Sequence, residues 1–167
     1  YNFYHGGKSR VFHYYHPRNL PEKAPLIFVL HGYSGNALNF MNWFNMKELA
    51  DKQNFALVYP QGFKDNSGSS HWNAGLTISN VDDVGFLSDL ALYLQDTYNL
   101  DTEKTFTSGY SNGGFMSYEL IIRKPYIFKA AASINGTMSL GTWNNRSMAQ
   151  PIPVLQISGE LDRIVPV

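Results

Sequence analysis

The stretch Thr105-Phe106-Thr107-Ser108-Gly109-Tyr110-Ser111-Asn112-Gly113-Gly114-Phe115-Met116 decides how this chain is read. Its first residues, rich in Thr and Phe, predict a strand, and Gly109 marks where that strand must turn. From Asn112 onward the apolar spacing Phe115, Met116, Leu120 predicts a helix. Ser111 therefore falls at a strand-to-helix junction inside Gly-x-Ser-x-Gly, the pattern of a nucleophile elbow. A serine on so sharp a turn leaves no room for a Cβ two residues to either side, so both flanks are glycine. The turn lifts Oγ above the sheet, and the following helix aims its N-terminal N–H groups at negative charge developing there. A Gly-rich connector without chemistry is the plain alternative for the same residues.

Outward from the elbow, strands and helices alternate. The clearest helix is 81–98, with Val84, Leu87, Leu90, Ala91, Leu94 and Tyr98 on one face. Asp82 and Asp83 lie in its first turn, where capping and the helix dipole explain them as well as substrate contact does. Ahead of it, 61–78 is a long polar loop carrying His71-Trp72-Asn73, and loops of that length in compact domains are usually functional or disordered. The continuous apolar runs 55–59 and 26–30 predict central strands buried on both faces, with 36–53 as a helix between them. At the N-terminus, residues 2–4 and 10–15 form a hairpin around Gly6-Gly7, whose histidines His5, His13 and His16 read as strand surface. Beyond the elbow helix, 129–134 and 152–157 are further apolar strands, and the loop holding Asp162 follows. This order predicts an α/β class with a mostly parallel sheet, 1–167 forming one domain. Ligands then belong at the carboxyl ends of the strands, where the loop after Leu30, Ser111 and Asp162 all fall.

Composition narrows the classes. Thirteen Lys and Arg balance thirteen Asp and Glu, so nothing points to nucleic acid or an acidic membrane surface. There are no cysteines, which excludes disulfides, thiol catalysis and cysteine-based metal sites. No apolar run approaches the ~20 residues of a membrane span. The chain opens on Tyr1 without a signal-peptide pattern, which reads as a processed, cloned or cropped sequence. Aromatic residues are abundant, and core filling is their default role. Asn135-Gly136-Thr137 and Asn145-Arg146-Ser147 match the glycosylation pattern and are read as accidental.

The motifs, taken together and in order, resemble the α/β-hydrolase family of polyhydroxybutyrate depolymerases, feruloyl esterases and acetylxylan esterases. The resemblance is carried by Val29-Leu30-His31-Gly32-Tyr33, Tyr59-Pro60-Gln61-Gly62, His71-Trp72-Asn73, Val81-Asp82-Asp83-Val84-Gly85-Phe86, the elbow itself, and the Asp162 loop through Val165-Pro166. It implies Ser111 as nucleophile and Asp162 as the acid that orients the base. The backbone N–H groups of Tyr33 and Asn112 would form the oxyanion hole. His31 would fix that loop by hydrogen bonding. Trp72 is assigned to substrate binding, lining an acyl or sugar pocket, with packing beneath its loop as the alternative. Secretion or a periplasmic location is implied by the same resemblance.

One departure stands out. Triads of this fold run Ser, Asp, His along the chain, and no histidine follows Asp162. The family's last strand and histidine loop are therefore expected to be missing, and the 167-residue chain is expected to be a poor catalyst. His71 would stand in the wrong order to serve. The function expected is a serine carboxylic-ester hydrolase acting on feruloyl, acetyl or hydroxyalkanoate esters, whether small molecules, polysaccharides or polyesters, through an acyl-enzyme on Ser111. That chemistry requires no metal or cofactor. A serine peptidase of the prolyl-oligopeptidase type and a noncatalytic binding domain are the alternatives.

Overall fold

The computed structural model describes residues 1–166, apart from the side chain of Met148. In chain order the elements are β1 (Asn2–His5), β2 (Lys8–Tyr15), β3 (Leu26–Leu30), α1 (Ala37–Trp43), α2 (Lys47–Gln53), β4 (Ala56–Pro60), β5 (Phe63–Lys64) and β6 (Ser70–His71). There follow α3 (Asp83–Thr97), β7 (Thr105–Tyr110), α4 (Asn112–Arg123), β8 (Phe128–Ile134), α5 (Leu140–Asn144), a short 3-10 turn (Arg146–Met148) and β9 (Val154–Ile157). The main sheet has the order β1-β2-β4-β3-β7-β8-β9. Its five strands from β4 to β9 pair in parallel, while the hairpin β1–β2 joins the other edge antiparallel. Gly6 and Gly7, at φ 55° and 75°, make the turn of that hairpin.

Alternation along β3 shows why its sequence is apolar throughout. Leu26, Phe28 and Leu30 point into one core, with Leu87, Leu90, Ala91 and Leu94 of α3 and Met116 and Leu120 of α4. Ile27 and Val29 point to the opposite face, where Leu57 and Tyr59 meet Ala37 and Met41 of α1 and Ala50 of α2. Phe28 meets Phe128 edge-on at 5.4 Å between centroids across the first core.

Three expectations are revised. The single helix expected over 36–53 is two, because Phe44 leaves helical geometry at φ −98°, ψ 64°. The Asn45 side chain then accepts the Lys47 N–H at 3.0 Å, satisfying the backbone outside the helix. The loop 61–78 holds a two-residue hairpin, β5 against β6, rather than wholly irregular chain. The strand expected over 152–157 begins only at Val154, since Pro153 has no N–H to donate and supplies only its carbonyl, to the Ala131 N–H at 3.1 Å. Among the described residues β9 is the edge of the sheet, with Val154, Leu155 and Ile157 exposed.

Candidate active site

Ser111 caps the N-terminus of α4 directly after β7 and sits at φ 52°, ψ −117°, a backbone region that side chains other than glycine avoid. Its surroundings hold it there. The Ser111 N–H donates to the Ile134 carbonyl at 2.8 Å, and its own carbonyl accepts from Gly114 and Phe115 at 2.8 and 3.1 Å. The flanking glycines are needed for close approach rather than for unusual dihedrals. A Cβ on Gly109 would run into the Gly113 carbonyl, and one on Gly113 into the Leu30 carbonyl. The elbow is thus wedged between its own helix and the end of β3.

That wedge brings the loop after β3 alongside. A Cβ at Gly32 would lie 3.5 Å from the Ser111 Cβ and 3.3 Å from Tyr110 Cδ1, so residues 31–33 run past the elbow. Among the described residues the N–H groups of Tyr33 and Asn112 donate to no protein acceptor. The Tyr33 side chain is exposed and its hydroxyl donates to Asp65 Oδ2 at 2.6 Å. Asp65 also accepts from the Ser67 and Ser69 backbones and the Ser67 hydroxyl. These bonds hold its carboxyl well below the usual carboxylate range, with the Ser67 hydroxyl the largest influence.

His31 is buried and built into this loop. Its Nδ1–H donates to the Gly32 carbonyl at 2.7 Å, and its Nε2 accepts the Gly62 N–H at 2.9 Å, contacts that assign the neutral tautomer. Burial, ahead of its other neighbours, pushes its pKa below the ordinary 6.5. His71 is equally committed, Nδ1 to the Phe63 carbonyl at 2.9 Å and Nε2 to the Ser79 hydroxyl at 2.6 Å. Of the remaining three, His5 lies against Asp82 and Asp89, His13 is half-buried on β2, and His16 packs beside Tyr98. No described histidine hydrogen-bonds Ser111.

Trp72 does not line a pocket. It is fully buried in the main core, and its Nε1–H donates to the His31 carbonyl at 2.9 Å. Its place beneath the loop corrects the assignment to substrate binding, because no face of the ring is left for a ligand. The residue that fixes it was not foreseen: the Asn112 side chain accepts the Trp72 N–H at 2.7 Å and donates to its carbonyl at 3.1 Å. Asn112 thus ties the elbow helix to the loop 61–78 through its carboxamide. Asp82 and Asp83 are likewise structural. Asp82 caps α3 by accepting the Gly85 N–H at 2.8 Å, and Asp83 is buried against Arg10 at 2.6 Å. No single-sequence signal singled out Arg10, which lies on β2 seventy-three residues from its partner.

Asp162 lies in the loop after β9, its carboxylate accepting the N–H groups of Ile164 and Val165 at 2.8 and 3.0 Å. Those two bonds lower its pKa and keep it ionised. The neighbouring ends of β7, β8 and β9 are stitched in sequence, since Asn135 N–H donates to the Ile157 carbonyl at 2.8 Å just as Ser111 does to Ile134. Ser111, the 31–33 loop and Asp162 therefore all sit at the carboxyl ends of parallel strands.

A parallel sheet of this order, turning sharply into a helix at a positive-φ serine, is the α/β-hydrolase fold. The esterase PHB depolymerase family model matches residues 10–165, and the chain belongs to that family. It is 29% identical over 160 residues to the bifunctional acetylxylan esterase/xylanase XynS20E of Neocallimastix patriciarum, covering 95% of this chain and 22% of that protein. It is 26% identical over 136 residues to feruloyl esterase B of Talaromyces funiculosus, covering 81% of this chain and 38% of that one. The solved structure of a thermostable esterase superposes with a TM-score of 0.80 at 21% identity, over 100% of this chain and 47% of the other, a likeness of fold. The chain thus spans well under half the length of both of these curated relatives. Among the described residues, no helix is long and apolar enough to cross a membrane.

Proposed function

We propose that this chain carries the nucleophile, the oxyanion donors and the acid of a serine carboxylic-ester hydrolase. The observation that carries the reading is the strained backbone of Ser111 at the β7–α4 junction, beside the unengaged N–H groups of Asn112 and Tyr33. In this reading Ser111 Oγ attacks the ester carbonyl and loses its proton to a histidine base. The tetrahedral oxyanion is held by the two backbone N–H groups and by the N-terminal end of α4. The base returns the proton to the departing alcohol, and water then hydrolyses the acyl-enzyme by the same route in reverse. Asp162 orients the histidine and offsets its charge. Among the described residues no histidine hydrogen-bonds Ser111, and none is assigned here as the base. Secretion accompanies the reading as an inference from the family.

The relatives' names point to acetyl and feruloyl esters, and hydroxyalkanoate esters join them through the family name. The test compares p-nitrophenyl acetate with a prolyl-peptide substrate, using residues 1–167 together with the native sequence that follows. Ester turnover is expected, peptide turnover is not, and Ser111→Ala should lower the ester rate by about 10⁶-fold. Peptide cleavage without ester cleavage would favour a peptidase instead.

A further inference from the structure

We infer that Trp72 is a positioning residue: it sets the distance between the two backbone N–H groups, of Tyr33 and Asn112, that hold the oxyanion. The inference rests on those donors and on Ser111 as nucleophile, and deepens that reading by naming what holds the donors together. They come from separate segments, one in the loop after β3 and the other at the start of α4. An oxyanion hole works only when both donors lie about 2.7–3.1 Å from the same oxygen. A misplacement of about 1 Å can cost ~10²-fold in rate, so the gap between the segments has to be fixed.

Trp72 is bonded to both segments. Its backbone N–H donates to Asn112 Oδ1 at 2.7 Å, and its carbonyl accepts from Asn112 Nδ2 at 3.1 Å. Its indole Nε1–H donates to the His31 carbonyl at 2.9 Å, across 41 residues of sequence. Both N–H groups of this one residue therefore go to the two segments that carry the donors. Trp72, Asn112 and His31 are all buried, so water does not compete for these bonds. The indole also packs on the His31 ring, with 5.0 Å between centroids. Burial alone would be met as well by phenylalanine, which has no polar atom to satisfy. The indole N–H is the part of Trp72 that packing does not require.

The anchored His31 carbonyl stands one peptide before the donor. The Tyr33 N–H shares its peptide plane with the Gly32 carbonyl, which accepts the His31 Nδ1–H at 2.7 Å and the Gly35 N–H at 3.0 Å. A trans peptide points its N–H away from its carbonyl, so pinning that oxygen aims the Tyr33 donor. Direction is thus fixed within the loop, but distance from α4 is not. On one side Gly113 lets α4 come close, since a Cβ there would lie 2.7 Å from the His31 carbonyl oxygen. On the other, the Trp72 indole holds that same oxygen while its backbone holds Asn112. The glycine permits the approach, and the tryptophan prevents the retreat.

The test separates oxyanion stabilisation from ground-state binding. In the full-length protein containing residues 1–167, kcat/KM for p-nitrophenyl acetate is measured beside inhibition by hexan-2-one and 1,1,1-trifluorohexan-2-one. Ser111 Oγ adds to the trifluoromethyl ketone's carbonyl carbon, its proton passes to the base, and the carbonyl oxygen becomes the oxyanion; hexan-2-one binds without adding. Trp72→Phe keeps a buried ring and loses the N–H. It should lower kcat/KM and weaken the trifluoroketone by the same factor, about tenfold, while hexan-2-one changes by less than about twofold. Asn112→Ala, which releases the other end of the span and keeps the backbone donor, should do the same. The double variant should lose about as much as the worse single one, because one broken tie already frees the gap. Thermal melts of each variant keep lost fold apart from lost positioning. Benzothienylalanine at position 72, with sulfur in place of the N–H, repeats the test at nearly unchanged shape. Folded variants with wild-type kcat/KM, equal weakening of both ketones, or additive losses in the double variant would overturn the inference. A wild type that binds the two ketones equally, or a Ser111→Ala variant that keeps the ester rate, would instead remove the nucleophile reading itself.

Discussion

The φ of 52° at Ser111 is a cost the fold sustains, of order 1–3 kcal/mol for a residue with a Cβ. Three backbone hydrogen bonds at this residue and the contacts of Gly109 and Gly113 hold it in place. Ser111→Gly should therefore be more stable than Ser111→Ala by about 1 kcal/mol in chemical denaturation, even though both lack the nucleophile. Equal stability would mean that the turn is not strained. His31 makes a second prediction at this scale. Folded, it is neutral with its pKa below 6.5; unfolded, it takes up a proton near 6.5. The unfolded chain thus binds more protons as pH falls below 6.5, so stability is full above that value and declines beneath it, by up to ~1.4 kcal/mol per pH unit from one such group. His31→Gln should flatten part of that decline between pH 6.5 and 5, His13 contributing in the same direction through its own burial. The elbow was legible because glycine spacing is a local steric demand. The burial of Trp72 was not, because sequence places an indole on a loop without saying which side of the loop meets the core.

Between elements, the pair Arg10–Asp83 joins β2 to the first turn of α3, with both side chains almost wholly buried. Asp83 also accepts the Asn73 N–H at 2.8 Å, so the loop 61–78, β2 and the helix share one carboxylate. Asp83→Ala strands a buried guanidinium and should cost about 3–5 kcal/mol in denaturant unfolding. Combining it with Arg10→Met should recover part of that loss; a double variant no better than the single would show that the charge pairing is not what matters. The acidic Asp82-Asp83 signature marked a helix start correctly, since Asp82 is the cap. The long-range partner of Asp83 was invisible, because nothing local in the sequence relates residue 10 to residue 83. The break between α1 and α2 left a faint trace. Aromatics at 40, 43 and 44 spoil any single helical stripe, and the structure shows why: Phe40 packs against the core while Trp43 faces solvent.

Across the whole molecule, the sheet is well covered at its centre and open at one side. β9 carries Val154, Leu155 and Ile157 exposed, and an apolar groove of about 420 Å³ lined by Ile27, Phe106, Ala132, Pro153 and Leu155 runs beside it. An apolar strand edge with unpaired backbone groups is a template for association. The 167-residue chain should therefore self-associate with rising concentration in sedimentation velocity, and Leu155→Lys should shift it toward monomer. A chain that stays monomeric at high concentration would refute this. The parallel class could be read from alternating strand and helix patterns, whereas the exposure of an edge depends on what packs beside it, which no pattern within the strand records.

The central claim is that Ser111 is the atom acylated. Protein carrying residues 1–167 and the native sequence that follows can be acid-quenched during turnover of p-nitrophenyl acetate and mapped by peptide mass spectrometry. The account predicts one acetyl group, on the peptide containing Ser111, and its disappearance in Ser111→Ala; acetylation elsewhere with Ser111 unmodified, or an undiminished rate in that variant, would contradict it.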